Sequence, residues 1–294
     1  MKRLRFMTWC PRSVSGMHLP AFAASEAGLF AEQGLDVEYV PAANAPEAIA
    51  AGDADFALTS AVHVLAAQTR AGGRLPVRFV AAFHRRNPIV GVVRTDSGRR
   101  TPGDLAGARA ARWSIPWFAR EYAGALDRLG VAPPVLIDTP GGLDEALGSG
   151  AVDALPMWMD DTAPAEALGM RLHHCGETFA VRTIALDIPV YSTGLIAGDR
   201  VPLDVVRGVQ HALARGHELQ REQPEPGLAG FQRCFPAVPQ EHARISWALY
   251  EPYAFDGATP GRMTADRWRD TIAYTAKAHG LLTFPEDRVY RPEL

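Results

Sequence analysis

The stretch that decides the fold is residues 28–40, GLFAEQGLDVEYV, in which a predicted helix gives way to a predicted strand. Apolar side chains recur at helical spacing over residues 19–32, and Gly34 is the residue type that favours the left-handed turn ending a helix. Residues 35–40 then alternate apolar side chains with Asp and Glu, which is the period of a half-buried strand. Helix, glycine turn and strand in this order are typical of an α/β protein.

The same alternation continues on both sides of this stretch. The pattern predicts strands over 4–9, 55–58 and 77–82, and helices over 46–51 and 61–70. Thr59 and Ser60 are predicted to cap the helix that follows them, because hydroxyl side chains can accept its first backbone N–H groups. Strands separated by helices of this length predict a largely parallel sheet.

A second series of elements repeats this logic further along the chain. Its predicted strands and helices alternate over 89–93, 101–105, 108–113, 117–129, 135–138, 143–147 and 152–157. Residues 47–58 echo residues 145–155, since each reads as helix, glycine turn, aspartate and apolar strand. This internal repeat predicts two similar α/β lobes.

After Arg182 the pattern changes to two short strands over 185–196, followed by long helices over 203–222, 242–253 and 264–279. The chain is predicted to cross to a second lobe near 83–88 and to return near 186–189. The predicted domains are therefore lobe 1, residues 1–87 plus 189–294, and lobe 2, residues 88–188. Two crossovers predict a hinged protein whose ligand lies between the lobes.

Composition excludes several classes of protein. The chain has 294 residues, 47% hydrophobic and 21% charged, with a formal net charge of −3, which describes a folded globular protein without a general field for nucleic acid. We expect no membrane insertion, because no apolar run of about 18 residues occurs. The basic start, residues 1–6, is not followed by the apolar run of a secretory signal, so the sequence predicts a cytoplasmic location.

The cysteines do not indicate a disulfide framework or a zinc site. Cys10, Cys175 and Cys234 are odd in number and widely scattered, and no CxxC pair occurs. The run His173-His174-Cys175 is interpreted as a surface or packing feature, because neighbouring residues on a strand point to opposite faces. We therefore expect no metal and no cofactor.

Residues 28–40 resemble the signature of the type II periplasmic-binding-protein fold, in the branch of the alkanesulfonate, taurine and nitrate receptors and the thiamine-pyrimidine-precursor proteins. Residues 52–57, 96–107 and 150–158 match the same family in the same order. The resemblance implies an α/β fold of two Rossmann-like lobes joined by two hinge crossovers. It also implies a small organic molecule bound in the interlobe cleft.

Some relatives with this fold are enzymes, and one feature of this chain resembles them. Cys10 and Pro11 resemble the Cys-Pro pair of the hydroxybiphenyl sulfinate desulfinases, in which the cysteine is the nucleophile. The resemblance implies that Cys10 is a nucleophile. From its chemistry, the Cys10 thiolate is expected to attack an electrophilic sulfur or carbon, assisted by a nearby cation such as Arg12 or by a histidine such as His63 or His84. A small buried apolar side chain is the other interpretation of Cys10.

Ligands of parallel sheets bind outside the carboxyl ends of the strands, and this rule nominates the candidate site. The catalytic candidates are Cys10, His84 and Asp160. The ligand-binding candidates are Trp9, Arg12, Asn44, Thr59, Ser60, Arg85, Trp113, Ser114, Trp158, Asp161, Tyr191 and Ser192.

Each residue type in this set has a chemical reason and a structural alternative. Hydroxyls at a helix start suit an anion, and arginines can hold a carboxylate, phosphate or sulfonate through paired hydrogen bonds. Tryptophans can form the walls of a site, and a carboxylate can act as a general base or bind an amine. Helix capping, core packing and solvated surface charge are the corresponding alternatives.

Two functions remain open from the sequence. The favoured hypothesis is a cytoplasmic enzyme that processes a small organic metabolite, sulfur-containing or anionic, by a reaction such as desulfination or group displacement. The alternative is a non-catalytic substrate-binding protein of an ABC importer, or a cytoplasmic small-molecule sensor. Both imply a small-molecule ligand and neither implies nucleic acid.

Overall fold

The computed structural model describes residues 1–8, 15–41, 44–112, 116–139, 142–255 and 259–291. The strands of these residues are β1 (Lys2–Thr8), β2 (Leu35–Pro41), β3 (Phe56–Ser60), β4 (Val77–Ala82), β5 (Ile89–Arg94), β6 (Arg109–Arg112), β7 (Val135–Asp138), β8 (Leu155–Trp158), β9 (Arg171–His174), β10 (Glu177–Ala185) and β11 (Thr193–Gly198). The α-helices are α1 (Leu19–Glu26), α2 (Leu29–Glu32), α3 (Ala45–Ala51), α4 (Ala61–Arg70), α5 (Pro116–Arg128), α6 (Leu143–Gly148), α7 (Ala163–Ala167), α8 (Leu203–Glu222), α9 (Pro224–Cys234), α10 (Gln240–Ala254) and α11 (Ala265–His279). Short 3-10 turns include Gly16–His18 and Asp160–Thr162.

The first sheet has the strand order β2-β1-β3-β11-β4. Strand β1 runs parallel to β2 and β3, as the sequence predicts for strands joined through helices. Strand β11, which follows the second crossover, runs antiparallel to both β3 and β4. The carboxyl ends of β1, β2 and β3 therefore meet at one edge of this sheet, where the amino end of β11 also lies.

The second sheet corrects the expectation of a largely parallel arrangement. Its order is β8-β5-β10-β9, and every pairing in it is antiparallel, while β6 and β7 form a separate parallel pair. Strands β9 and β10 form a hairpin whose turn residues Cys175 and Gly176 have positive φ, and a tight hairpin can only pair antiparallel strands. The prediction failed here because residues 171–185 do not show the βαβ pattern.

Two crossovers connect the sheets and lie side by side. The strands of the first sheet come from residues 2–82 and 193–198, and those of the second from residues 89–185. The Asn87 amide donates to the Ile188 carbonyl at 2.8 Å, and the Ser192 amide donates to the His84 carbonyl at 3.0 Å. The two crossovers are thus hydrogen-bonded to each other, and the exact lobe boundaries stay a prediction.

The helical expectations hold for most elements, but the short α7 was not predicted and the helix expected over 101–105 is a 3-10 turn, Pro102–Leu105. The helix predicted over 19–32 is divided into α1 and α2 by Gly28, whose φ of 72° interrupts the helical backbone. Helix α9 was not predicted, because its first residues, PEPG, read as a turn. Thr59 and Ser60 do not cap α4 with their side chains, and the amide of Ala61 instead donates to the Ser192 carbonyl at 2.6 Å.

The internal echo is repeated in atomic detail. In the first sheet the Asp55 carboxylate accepts the backbone N–H of Arg5 at 2.9 Å. In the second half of the echo the Asp153 carboxylate accepts the backbone N–H of Arg109, also at 2.9 Å. Each aspartate lies just before a strand, and its hydrogen bond holds the start of that strand against another strand.

Candidate functional site

Five of the predicted site residues lie outside the described residues. They are Trp9, Cys10, Arg12, Trp113 and Ser114. Strand β1 ends at Thr8 and strand β6 at Arg112, so these residues follow the carboxyl ends of a strand in each half of the molecule. Their predicted roles stay predictions.

A cluster of two hydroxyls and an imidazole lies where β3 passes into α4. The Nδ1 atom of His63 is 3.0 Å from the Ser60 hydroxyl and 3.3 Å from the Thr59 hydroxyl. We call Thr59, Ser60 and His63 the hydroxyl cluster. Burial lowers the pKa of His63 to about 4, so its imidazole is neutral at pH 7 and acts only through hydrogen bonding and packing.

An aromatic wall from the second lobe faces this cluster. Trp117, at the start of α5, lies edge-on to the His63 ring with 5.7 Å between ring centroids. Trp117 also packs against Trp158, at the end of β8, with a centroid distance of 5.0 Å. Trp158 is almost fully buried, whereas Trp117 and His63 are half-buried. The two lobes therefore face each other here through side chains that solvent still reaches.

A second polar cluster joins the lobes next to the crossovers. The Nε2 atom of His84 is 3.9 Å from Oδ1 of Asp160, and the Ser15 hydroxyl donates to Oδ2 of Asp160 at 2.6 Å. On its other side, Nδ1 of His84 is 2.5 Å from the Thr193 hydroxyl. We call His84, Asp160, Ser15 and Thr193 the junction cluster. It brings together two of the three predicted catalytic residues.

Burial sets the charges of the junction cluster. It lowers the pKa of His84 to about 3, and the nearby His217 lowers it further. It raises the pKa of Asp160 to about 6, although hydrogen bonds from Ser15 and the Gly16 amide oppose that rise. At pH 7 the imidazole is therefore neutral, and burial shifts the titration of the Asp160 carboxyl towards neutral pH. The consistent tautomer has the Thr193 hydroxyl donating to Nδ1 and the Nε2–H group facing Asp160.

The junction cluster is closed off by aromatic rings. The His84 ring lies 4.8 Å from Tyr250, 5.7 Å from Trp158 and 6.2 Å from Tyr253, measured between centroids. His84 and Asp160 are both fully buried, and neither His84 Nε2 nor Asp160 Oδ1 has a hydrogen-bond partner within the described part of the chain. Solvent does not reach these atoms in this conformation.

The remaining predicted residues lie in varied surroundings. Asp161 is half-buried, and both burial and the Asp160 charge raise its pKa. Arg85 is 5% exposed and donates to the Arg262 carbonyl, while Asn44 is exposed immediately before α3. Tyr191 and Ser192 are buried.

Tyr191 is held on two sides. Its hydroxyl accepts the Thr264 amide at 3.0 Å, and its ring packs against Trp268, 5.2 Å away between centroids. These contacts tie the second crossover to α11. The ligand-binding role of Tyr191 stays a prediction.

Sequence reasoning missed several residues of this region. Ser15 and Thr193 carry no local signal, since only the tertiary fold brings them to His84 and Asp160. Trp117 could have been found, because it lies in the first turn of a predicted helix that follows a strand. Glu121, one turn further along α5, is buried next to Asn87 of the first crossover, and burial raises its pKa to about 7.

Two searches of the described residues found nothing. No group of three or more His, Cys, Asp or Glu side chains there is placed to hold a metal ion. Nor does any helix there have the length and apolar character needed to span a membrane.

Comparison with protein families gives a match over most of the chain. A profile described as NMT1/THI5 like matches residues 15–226. These residues include both crossovers, the hydroxyl cluster, the junction cluster and the strands β2 and β3 that pair with β1. This chain belongs to the NMT1/THI5-like family. A search of curated proteins gives no match.

Solved structures share the family's fold over nearly the full chain. The periplasmic aliphatic sulphonate binding protein SsuA from Escherichia coli is 17% identical with a TM-score of 0.72, over 99% of this chain and 93% of that one. The alkanesulfonate-binding protein SsuA from Xanthomonas axonopodis pv. citri, bound to MOPS, is 16% identical with a TM-score of 0.66, over 99% of both chains. A cysteine-to-serine variant of DszB in complex with biphenyl-2-sulfinic acid is 16% identical with a TM-score of 0.61, over 100% of this chain and 97% of that one.

These similarities confirm the type II periplasmic-binding-protein fold that the sequence resembles. At such low identities the solved structures show a shared scaffold, and what each of them binds is a property of that protein. The family member described here is thus a solute-binding-protein scaffold with two lobes.

Proposed function

We propose that this chain is a non-catalytic binding protein that holds a small sulfonate-like organic anion between its lobes. The observation that carries the proposal is the placement of the hydroxyl cluster opposite Trp117. Hydrogen-bonding groups of one lobe there face an aromatic side chain of the other lobe, with 5.7 Å between the His63 and Trp117 rings. A molecule with a polar head and an apolar body would contact both.

The chemistry of the hydroxyl cluster suits a sulfonate. A sulfonate carries three acceptor oxygens and keeps its charge throughout the range in which proteins are stable. Thr59 and Ser60 are buried, and with the Nδ1–H group of the neutral His63 imidazole donating to their hydroxyl oxygens each hydroxyl keeps its own hydrogen to donate to a ligand. The Trp117 indole offers an apolar face to the organic part of the ligand.

Support for binding is stronger than support for catalysis. The SsuA proteins share the fold over nearly their whole length and are named for binding, which favours the alternative hypothesis over the enzyme. Of the predicted catalytic residues, His84 and Asp160 are fully buried, and Cys10 lies outside the described residues. The enzymatic function stays a prediction.

Titration calorimetry with propane-1-sulfonate, compared with butanoate as a carboxylate of similar size, tests the proposal. We expect 1:1 binding of the sulfonate that is at least tenfold tighter than binding of the carboxylate. Replacing both hydroxyls, Thr59→Val with Ser60→Ala, should weaken sulfonate binding by at least tenfold, about 1.4 kcal/mol. The exposed Ser97→Ala serves as the matched control and should bind like the parent protein.

Mass spectrometry of the recovered ligand separates binding from turnover. The sulfonate should be recovered unchanged after long incubation, and biphenyl-2-sulfinate should release no sulfite. Sulfite release that disappears in Cys10→Ser would establish the enzyme and overturn the proposal. Equal affinity for sulfonate and carboxylate would remove the proposed ligand class.

We propose that the protein serves an ABC importer, because the E. coli SsuA is a periplasmic binding protein. The cytoplasmic location expected from the sequence fits the sensor version of the same hypothesis and stays a prediction. Fractionation of cells that express the natural gene tests this point. Recovery in the cytoplasmic fraction alone would favour a sensor.

A further inference from the structure

A groove of about 330 Å³ lies away from the lobe interface, along the outer edge of β4. Its floor is Val80 and Ala81 of that strand, one wall is α8, and the opposite wall is the loop 260–263. Strand β4 is the edge strand of the first sheet, and the loop wall pairs with its free edge at Ala82.

A β-bulge shapes the floor of the groove. Ala81 pairs with Leu195 and Phe79 pairs with Ile196, which leaves Val80 as an extra residue between two paired ones. The side-chain amide of Gln210, on α8, donates to the Val80 carbonyl that the bulge releases. This bond fixes the helical wall to the floor.

The loop wall is fixed equally well. Gly261 and Ala82 exchange two backbone hydrogen bonds of 3.1 Å. The buried Arg85 donates to the Arg262 carbonyl, and the Arg262 amide donates to the Thr259 carbonyl at 3.2 Å. The backbone that presents the Arg262 side chain to the groove is therefore held at four points.

The groove is cationic. Arg207 and His211 are one turn apart on α8 and so lie on the same face, and Arg262 lines the groove from the loop. No ion pair joins Arg207 or Arg262 to a carboxylate of the described chain, and none of the described lining residues is acidic. Two guanidinium groups and an imidazole thus share one concave surface without a counter-charge from those residues.

We propose that this groove is a second binding site, specific for a small phosphate-bearing anion. Guanidinium groups hold phosphate oxygens through paired, charge-assisted hydrogen bonds, and two of them on opposite walls can hold one dianionic group from both sides. The Ala81 floor and the stem of Met263 supply apolar contact for the rest of the ligand. The site shares no residue with the hydroxyl cluster, so it does not depend on the proposed function.

Pyrophosphate is the probe, titrated calorimetrically in chloride buffer at constant ionic strength. We expect one saturable site, with affinity at least fivefold lower in Arg207→Gln and in Arg262→Gln, and at least tenfold lower in the double variant. Arg171→Gln, which removes an exposed arginine of the second sheet, is the matched control and should leave the affinity unchanged. Circular dichroism melting verifies that each variant is folded.

Two further experiments test where pyrophosphate binds and whether the groove prefers phosphate groups to carboxylates. The variant Thr59→Val with Ser60→Ala should bind pyrophosphate like the parent protein, because the hydroxyl cluster lies elsewhere. Succinate should bind at least fivefold more weakly than pyrophosphate. Equal losses in Arg171→Gln and the groove variants, loss of pyrophosphate binding in the hydroxyl-cluster variant, or tighter binding of succinate would each overturn the proposal.

Discussion

The hydroxyl cluster and the junction cluster use similar chemistry in different surroundings. Each has a histidine whose Nδ1 atom is hydrogen-bonded to a hydroxyl, and burial lowers the pKa of both imidazoles, to about 4 for His63 and about 3 for His84. His63 is half-buried and faces the other lobe, whereas His84 is enclosed by three aromatic rings and faces a buried carboxylate. The comparison teaches that position relative to the lobe interface, and not residue type, decides whether a histidine stays accessible to solvent or is enclosed.

The largest expected effect is loss of stability when the enclosed imidazole is removed. His84→Ala leaves a cavity among Trp158, Tyr250 and Tyr253 and takes away the hydrogen-bond partner of Thr193. We expect the free energy of unfolding, measured in urea, to fall by about 3 to 4 kcal/mol. The exposed His211→Ala is the control, and a loss below about 1 kcal/mol in His84→Ala would show that the junction is not tightly packed.

The next effect is a change in the pH dependence of stability. Since burial raises the pKa of Asp160 to about 6, the folded protein takes up a proton that the unfolded chain still releases, and this carboxyl adds stability as the pH falls through 6. In Asp160→Asn that contribution disappears. As the pH falls from 7 to 4.5, the free energy of unfolding of the parent protein should therefore rise by about 2 kcal/mol relative to that of the variant.

The groups around Asp160 respond differently in this experiment. The Asp160 charge raises the pKa of Asp161, so Asp160→Asn lowers that pKa and the change in Asp161 is part of the difference between the two proteins. Tyr250 and Tyr253 have raised pKa values and stay protonated throughout this pH range, and His217 is common to both proteins. The lowered pKa of His84 acts in the opposite direction, because it removes stability as the pH falls below 6.5, and the difference between the two proteins cancels this. If the free energies of unfolding of the parent protein and of Asp160→Asn changed with pH in parallel, the raised pKa of Asp160 would be contradicted. The exposed Asp36→Asn is the control.

A smaller effect is expected in ligand binding when the accessible imidazole is removed. His63→Ala frees the hydroxyls of Thr59 and Ser60 to turn away from the ligand, so sulfonate affinity should fall about tenfold, or 1.4 kcal/mol. Calorimetry with propane-1-sulfonate measures this loss. An unchanged affinity would place the ligand away from the hydroxyl cluster.

The smallest effect concerns the wall from the second lobe. Trp117→Leu keeps an apolar side chain but removes the indole that faces His63, so sulfonate affinity should fall about fivefold, or 1 kcal/mol. Exposed Leu129→Ala, at the end of the same helical region, is the control. A fivefold loss in the control as well would indicate a general effect on the second lobe.

Much of the fold could be predicted from local patterns. Helices α4 and α8 and strands β4 and β7 have the bounds that the sequence predicts, because each is a single periodic run ended by a clear turn or cap. The pairing of the second sheet could not be predicted, since residues 171–185 pair through a hairpin and not through a helix. The break at Gly28 was missed because apolar spacing continues across it.

The sequence nominates candidate site residues, but it does not say which of them lie together. The rule that ligands bind at strand ends led to Thr59, Ser60, Trp158 and Asp160. It did not tell how these residues are grouped, because that depends on how α10 and the crossovers pack around His84. Trp117 was overlooked since its helix begins one turn after the strand end.

The sequence alone determined the local units of this protein. Periodic apolar residues, turn glycines such as Gly52 and strand-entrance aspartates specify helices and strands through interactions a few residues apart. Only the tertiary structure decided which units meet, because strand pairing and the two crossovers bring distant residues together. Burial at those meeting points then set the protonation of His84 and Asp160, and no pattern along the chain contains the solvent exposure on which protonation depends.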